Sequence, residues 1–63
     1  GAVFNGADEQ AVQLFLEKKI SFLQIEESIE QACKHAEYIE NPTIEQLEAT
    51  DAWARKFVIE YWD

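Results

Sequence analysis

The feature that most constrains the fold is a set of apolar residues near the start of the chain, spaced as on one face of an α-helix. They recur at intervals of three and four residues: Ala7, Ala11, Leu14 and Phe15. Val12 and Leu16 are expected to widen this face. Asn5 is the N-cap candidate, because its side-chain oxygen can accept a hydrogen bond from a free amide of the first turn. We therefore predict a first helix over residues 6–19, buried on one side.

The charges at the two ends of this segment agree with that prediction. Asp8 and Glu9 lie in the expected first turn, where the helix dipole favours negative charge. Lys18 and Lys19 lie in the expected last turn, where it favours positive charge. Residues 1–4, GAVF, are apolar and uncapped, so we interpret them as the end of a strand or linker that arrives from elsewhere.

A capping box predicts the second helix. Ser21 precedes Gln24 by three residues, and Ile20 and Ile25 fit the hydrophobic staple that often accompanies this arrangement. The apolar face expected for this helix comprises Phe22, Ile25, Ile29, Ala32, Cys33 and Ala36. The link from the first helix is only a residue or two, so a steep crossing is as plausible as a parallel bundle.

The second half of the chain contains one strong and one weaker interruption. Asn41-Pro42 stops a helix, because proline lacks an amide hydrogen and disfavours helical geometry in the preceding residue. Thr43 and Gln46 repeat the capping-box spacing and predict a short helix over residues 44–49. Thr50-Asp51 is interpreted as a second break, followed by a last helix over residues 52–61. The fold class predicted is all-α, a small bundle of about four helices with short links and steep crossings.

Composition limits the partners that the chain can have. Of its 63 residues, 13 are acidic and 5 basic, for a formal charge of −8. This balance argues against binding to nucleic acid or to anionic membranes, and no apolar run approaches the roughly 20 residues of a membrane span. Cys33 is the single cysteine, and no secretory leader is visible, so we expect a cytoplasmic protein.

No residue pattern predicts catalysis, a cofactor site or a metal site. Cys33 and His35 are two apart, which turns them to different faces of a helix. We expect Cys33 to be a small buried residue and His35 to lie at a helix end. Glu26, Glu27 and Glu30 are interpreted as a solvated helix face. Gly6 has no companion glycine of a phosphate loop.

The aromatic residues of the last segment have two interpretations. Trp53, Phe57 and Tyr61 recur at intervals of four, which favours core packing in so small a fold. The alternative is a stripe that faces a partner, with Trp62 as a candidate for contact outside the chain.

Four short motifs in order resemble a known family. They are Asn5 to Glu9, then Ala11-Val12 with Phe15-Leu16, then Lys19-Ile20-Ser21-Phe22 with Ile25, and last Ala49 to Arg55. Over nearly the whole chain this order resembles the C-terminal helical domain of the 1-deoxy-D-xylulose 5-phosphate reductoisomerase family. The chain departs from the family pattern at Gly6, Asp8 and Thr50.

The resemblance implies that residues 1–63 are a single C-terminal domain from a longer multidomain enzyme. Members of that family convert 1-deoxy-D-xylulose 5-phosphate to 2-C-methyl-D-erythritol 4-phosphate with NADPH and Mg²⁺ or Mn²⁺, a step in isoprenoid biosynthesis. Their cofactor, metal and substrate residues come from other domains, so we expect this fragment to be inactive alone and to bind none of these groups. The partners implied are the catalytic and NADPH-binding domains of the same chain. The alternative function is a free-standing acidic helical interaction module.

Overall fold

The computed structural model describes all 63 residues and consists of three helices without any strand. Helix α1 spans Ala2–Leu16, α2 spans Phe22–His35 and α3 spans Ile44–Tyr61. Helix α1 packs against both of the others, whereas α2 and α3 touch each other much less. The all-α prediction is confirmed, with three helices instead of about four.

Helix α1 begins earlier than predicted. Its N-cap is Gly1, and the amide of Asn5 donates to the carbonyl of Gly1 at 3.1 Å, so Asn5 lies inside the helix. The prediction of Asn5 as N-cap was wrong, as was that of a strand or linker over residues 1–4. Ala2 to Phe4 carry no residue that breaks a helix, and main-chain hydrogen bonding continues through them without a side-chain cap.

Helix α1 also ends earlier than predicted, at Leu16. The amide of Lys18 donates to the carbonyl of Phe15, and that of Lys19 to the carbonyl of Leu14, both at 2.9 Å. This pair of hydrogen bonds is a Schellman motif, which needs a left-handed residue just after the helix. Lys18 supplies it with φ of 63°. The two lysines therefore follow the last turn and do not belong to it.

Both predicted capping boxes are confirmed. The amide of Gln24 donates to Ser21 Oγ at 3.3 Å, and the amide of Ser21 donates to Gln24 Oε1 at 2.6 Å. Thr43 and Gln46 exchange the same two hydrogen bonds at the start of α3. The stop at Asn41-Pro42 also holds, since both residues lie between α2 and α3 and Asn41 has φ of 50°.

The buried face of α2 agrees in part with the predicted one, since Ile25 and Ile29 pack against the core as expected. Ser28 and Ala32 are fully buried, whereas Phe22 and Cys33 are exposed. The prediction of Cys33 as a buried residue was therefore wrong. The pattern of apolar residues missed the centre of the contact, because a serine, which is usually a surface residue, occupies it.

Helix α3 is continuous where a break was predicted. Thr50 and Asp51 lie within it, and Asp51 pairs with Arg55 one turn later instead of capping a new helix. Neither residue lacks an amide hydrogen, so the helical hydrogen bonds run through both, and tertiary contacts outweigh their weak preference against a helix interior. The predicted helices over residues 44–49 and 52–61 are thus one.

The core is small and consists largely of small side chains. Its fully or nearly fully buried apolar residues are Ala7, Ala11, Leu14, Ile20, Ala32, Ala54 and Val58. Val12 and Leu16, which were expected to widen the buried face of α1, are exposed instead. A Cβ on Gly6 would lie only 2.8 Å from the main-chain oxygen of Asp51, so glycine allows α1 and α3 to approach closely here.

Candidate functional site

Arg55 ties α3 to α1. Its Nε donates to Asp51 Oδ2 at 2.8 Å within α3, and its Nη2 donates to Glu9 Oε2 of α1 at 2.6 Å. The hydrogen bonds to Asp51 and then to Glu9 raise the pKa of Arg55 above its usual range, because both favour the charged guanidinium. Arg55 is half-buried and bridges the two helices.

Two hydrogen bonds at the end of α3 tie it to α2. The Trp62 indole donates to Ser28 Oγ at 2.7 Å, and the same hydroxyl donates to the carbonyl of Gln24 at 2.7 Å. The Tyr61 hydroxyl donates to Glu27 at 2.8 Å, and this hydrogen bond raises the pKa of Tyr61. Trp62 thus contacts the core of its own domain, whereas the alternative interpretation of the aromatic residues placed it in contact with another surface. The sequence gives no periodic signal for Ser28, so this pairing was missed.

The aromatic residues of α3 form a row along the border of the core. Phe57 is half-buried, and its ring centroid lies 5.2 Å from that of Trp53 and 5.9 Å from that of Tyr61. The ring of His35, the last residue of α2, lies 5.4 Å from that of Phe57. Trp53 and Tyr61 remain 38% and 40% exposed, so the row belongs partly to the core and partly to the surface.

The candidate chemical groups do not converge. Cys33 and His35 are both exposed, and the His35 ring nitrogen Nδ1 lies 2.9 Å from the carbonyl of Gln31 within its own helix. Glu26, Glu27 and Glu30 are exposed on α2. No group of three or more His, Cys, Asp or Glu side chains is placed to hold a metal ion. No helix is both long and apolar enough to cross a membrane.

One apolar groove lies between α1 and α2. We call it the Phe22 groove. It has a volume of about 400 Å³ and is lined by Phe4, Phe22, Leu23, Ile25 and Ile29, with Glu26 and Glu30 as its acidic members. Phe22 is 71% exposed and Leu23 is 78% exposed, although both begin the helix that the capping box initiates. Exposed apolar side chains gathered in one place are typical of an interaction surface.

A second apolar surface lies at the start of α3. Tyr38, Ile44 and Leu47 are exposed there, and a smaller groove runs beside Leu47 and Pro42 towards Gly1. The chain therefore presents apolar side chains on two sides. Exposed apolar side chains of this kind are candidates for contact with another protein surface.

Comparison with known proteins identifies the family of the chain. The family model for the DXP reductoisomerase C-terminal domain matches residues 1–57. The chain belongs to this family. The family assignment inferred from the four motifs is thereby confirmed.

Curated relatives in the family carry the name 1-deoxy-D-xylulose 5-phosphate reductoisomerase. The protein from Exiguobacterium sibiricum is 51% identical over 57 residues, which is 90% of this chain and 15% of that protein. The protein from Bacillus cereus strain ATCC 10987 is 46% identical over 94% of this chain and 16% of its own length. That from Synechococcus is 51% identical over 90% of this chain and 15% of its own. The chain spans about one sixth of these relatives or slightly less, and no solved structure matches it.

Proposed function

We propose that this chain is the C-terminal domain of a 1-deoxy-D-xylulose 5-phosphate reductoisomerase. The whole enzyme would convert 1-deoxy-D-xylulose 5-phosphate to 2-C-methyl-D-erythritol 4-phosphate with NADPH and a divalent cation, in isoprenoid biosynthesis. The observation that carries the proposal is the match of the family's C-terminal domain to residues 1–57. The role of residues 1–63 would be to support the catalytic and NADPH-binding domains of the same polypeptide.

The residues of this chain fit neither the cation nor the dinucleotide. A divalent cation such as Mg²⁺ needs several oxygen ligands that converge, and no such group of side chains is present. A dinucleotide needs a glycine-rich turn between a strand and a helix, whereas Gly6 lies buried inside α1. The chemistry is therefore assigned to the other domains, and no residue of this chain is given a catalytic, cofactor or metal role.

The surface of the chain supports a role in docking. A domain of this size buries only about 60% of the surface of its unfolded chain, so contact with a larger neighbour adds to its stability. Phe22, Leu23 and Ile44 are each more than 70% exposed and would gain from such contact. We also place the protein in the cytosol, since the exposed thiol of Cys33 has no partner cysteine in the chain.

The test is a truncation of the full-length protein. A variant that ends just before Gly1 is expected to lose turnover of 1-deoxy-D-xylulose 5-phosphate, and addition of residues 1–63 as a separate peptide is expected to restore part of it. Full turnover by the truncated protein would contradict the supporting role. The control is the same peptide carrying Ser28→Pro, which breaks α2 and should restore nothing.

A binding measurement tests the expectation that the fragment binds neither NADPH nor substrate. Titration of residues 1–63 with NADPH, or with 1-deoxy-D-xylulose 5-phosphate, is expected to show no saturable binding. Tight binding of either compound would refute the assignment of the chemistry to other domains. The family match does not favour the alternative of a free-standing acidic interaction module. The coding sequence upstream of Gly1 separates the two, because the proposed enzyme requires a dinucleotide-binding domain encoded there.

A further inference from the structure

The Phe22 groove lies on the side of the domain that α3 does not cover. Its lining comes from α1 and α2 alone, and α3 contributes no residue to it. Phe22 makes an edge contact with Phe15, and the two ring centroids are 5.8 Å apart. Phe22 nevertheless remains 71% exposed. Two packed helices leave between them a channel into which the side chains of a further segment can fit.

The acidic side chains of the groove have no positive partner within the domain. The three ion pairs of the structure join Lys19 to Glu17 and Arg55 to both Glu9 and Asp51. Glu26 and Glu30 take part in none of them, and they lie one turn apart on the same side of α2. Like charges at this spacing repel each other, and a Lys or Arg from outside would relieve the repulsion.

The aromatic row offers a weaker docking surface by comparison. Phe57 stacks between Trp53 and Tyr61 and contacts His35, so the rings of this row pack against one another. In the groove, Phe4 and Leu23 are half or more exposed, and no polar side chain other than the two glutamates lines it.

The identity of the occupant follows from the length of the relatives. This chain spans 15–16% of the curated reductoisomerases that it matches, so most of each such protein lies outside this domain. We propose that the Phe22 groove is the surface by which the domain docks on the remainder of its own polypeptide. The docked segment presents apolar side chains to Phe22 and Leu23 and a Lys or Arg to Glu26 and Glu30. This inference rests on the proposed function and adds the surface through which the domain docks.

Hydroxyl-radical footprinting of the full-length protein tests the proposal with three leucines of equal intrinsic reactivity. Leu23 is 78% exposed in the isolated domain, Leu47 on α3 is 41% exposed and Leu14 in the core is 7% exposed. An open groove gives the labelling order Leu23, Leu47, Leu14. In a docked groove Leu47 is labelled fastest of the three, and Leu23 is labelled as slowly as Leu14. Labelling of Leu23 faster than Leu47 would overturn the proposal.

Dilution separates the proposed occupant from a second copy of the chain. Protection of Leu23 by the same polypeptide is independent of protein concentration, whereas protection by a second copy disappears on dilution to the monomer and would overturn the proposal. The truncation described above tests the proposed function separately. If turnover depends on the domain but Leu23 is freely labelled, the domain docks by another face and only this inference fails.

Charge reversal tests the basic character of the docked segment. In the full-length protein, the double variant E26K/E30K is expected to increase the labelling of Leu23, because two lysines would face a Lys or Arg. The matched control E37K/E40K makes the same change in net charge outside the groove and is expected to leave Leu23 protected. Unchanged protection in E26K/E30K would overturn the assignment of a basic partner.

Discussion

The hydrogen bond from Trp62 to Ser28 is predicted to be a main link between α2 and α3. These helices touch each other little, and the hydroxyl of Ser28 is fully buried between its two hydrogen-bond partners. Ser28→Ala removes the acceptor of the indole N–H. The loss of one hydrogen bond and the poorer pairing of a half-buried donor together cost about 1–2 kcal/mol.

The better helix propensity of alanine offsets part of this loss. Alanine is favoured over serine by roughly 0.5 kcal/mol in a helix interior. We therefore expect Ser28→Ala to lower the free energy of unfolding by about 1 kcal/mol, which corresponds to a fall of roughly 4–8 °C in Tm for a domain of this size. Thermal unfolding followed by circular dichroism measures this shift.

A double-mutant cycle isolates the pair from these side effects. Trp62→Phe removes the donor but keeps an aromatic ring at the same position, and the double variant removes both partners. We expect a coupling energy of about 1 kcal/mol between the two changes. If the two single variants lose stability additively in the double variant, the coupling energy is near zero. That result would refute the argument that this hydrogen bond joins α2 to α3.

Three further outcomes are expected. Lys18→Gly should raise the free energy of unfolding by up to about 1 kcal/mol in chemical denaturation, because glycine adopts the left-handed φ of 63° without a side-chain clash. Glu27→Gln should lower the pKa of Tyr61, read from tyrosinate absorbance. Because the hydrogen bond to Glu27 raises that pKa in the folded state, its stabilisation is full below the ordinary tyrosine pKa of about 10 and lost as the pH rises through the folded value. A thiol reagent should modify exposed Cys33 at the same rate in native and in urea-unfolded protein, and strong protection in the native protein would contradict the exposed position.

Local signals in the sequence predicted the features that depend on neighbouring residues. Ser21 with Gln24 and Thr43 with Gln46 started helices where the spacing of hydroxyl and amide side chains indicated. Pro42 lies between α2 and α3, where its missing backbone donor keeps a helix from running through this segment. The recurrence of apolar residues at intervals of three and four placed Ala7, Ala11 and Leu14 correctly on the buried face of α1.

The errors arose where two outcomes were close in energy locally. Asn5 can cap a helix or continue one, and the main chain continued it to Gly1. Thr50 and Asp51 can end a helix or lie within it, and the pairing of Asp51 with Arg55 accompanies the second outcome. In each case the two outcomes differ by a fraction of a kcal/mol in helix propensity, so packing between helices decides between them.

The candidate surface was only partly visible in the sequence. The row formed by Trp53, Phe57 and Tyr61 could be read from their spacing. The exposure of Phe22 could not, because a phenylalanine at helical spacing is usually a core residue. Only the packing of α2 with Ser28 at its centre turns Phe22 outwards, since that choice fixes the rotation of the whole helix.

By itself, the sequence determined that the chain is helical, where two of its helices start, which family it belongs to and that it is strongly acidic. These properties follow from short-range hydrogen bonding, from composition and from motif order. The tertiary structure decided which face of each helix is buried and how the last segment joins into one helix. It also decided that Trp62 turns inward to Ser28 while Leu23 remains outside. Such choices depend on contacts between residues far apart in the chain, and local spacing carries no information about them.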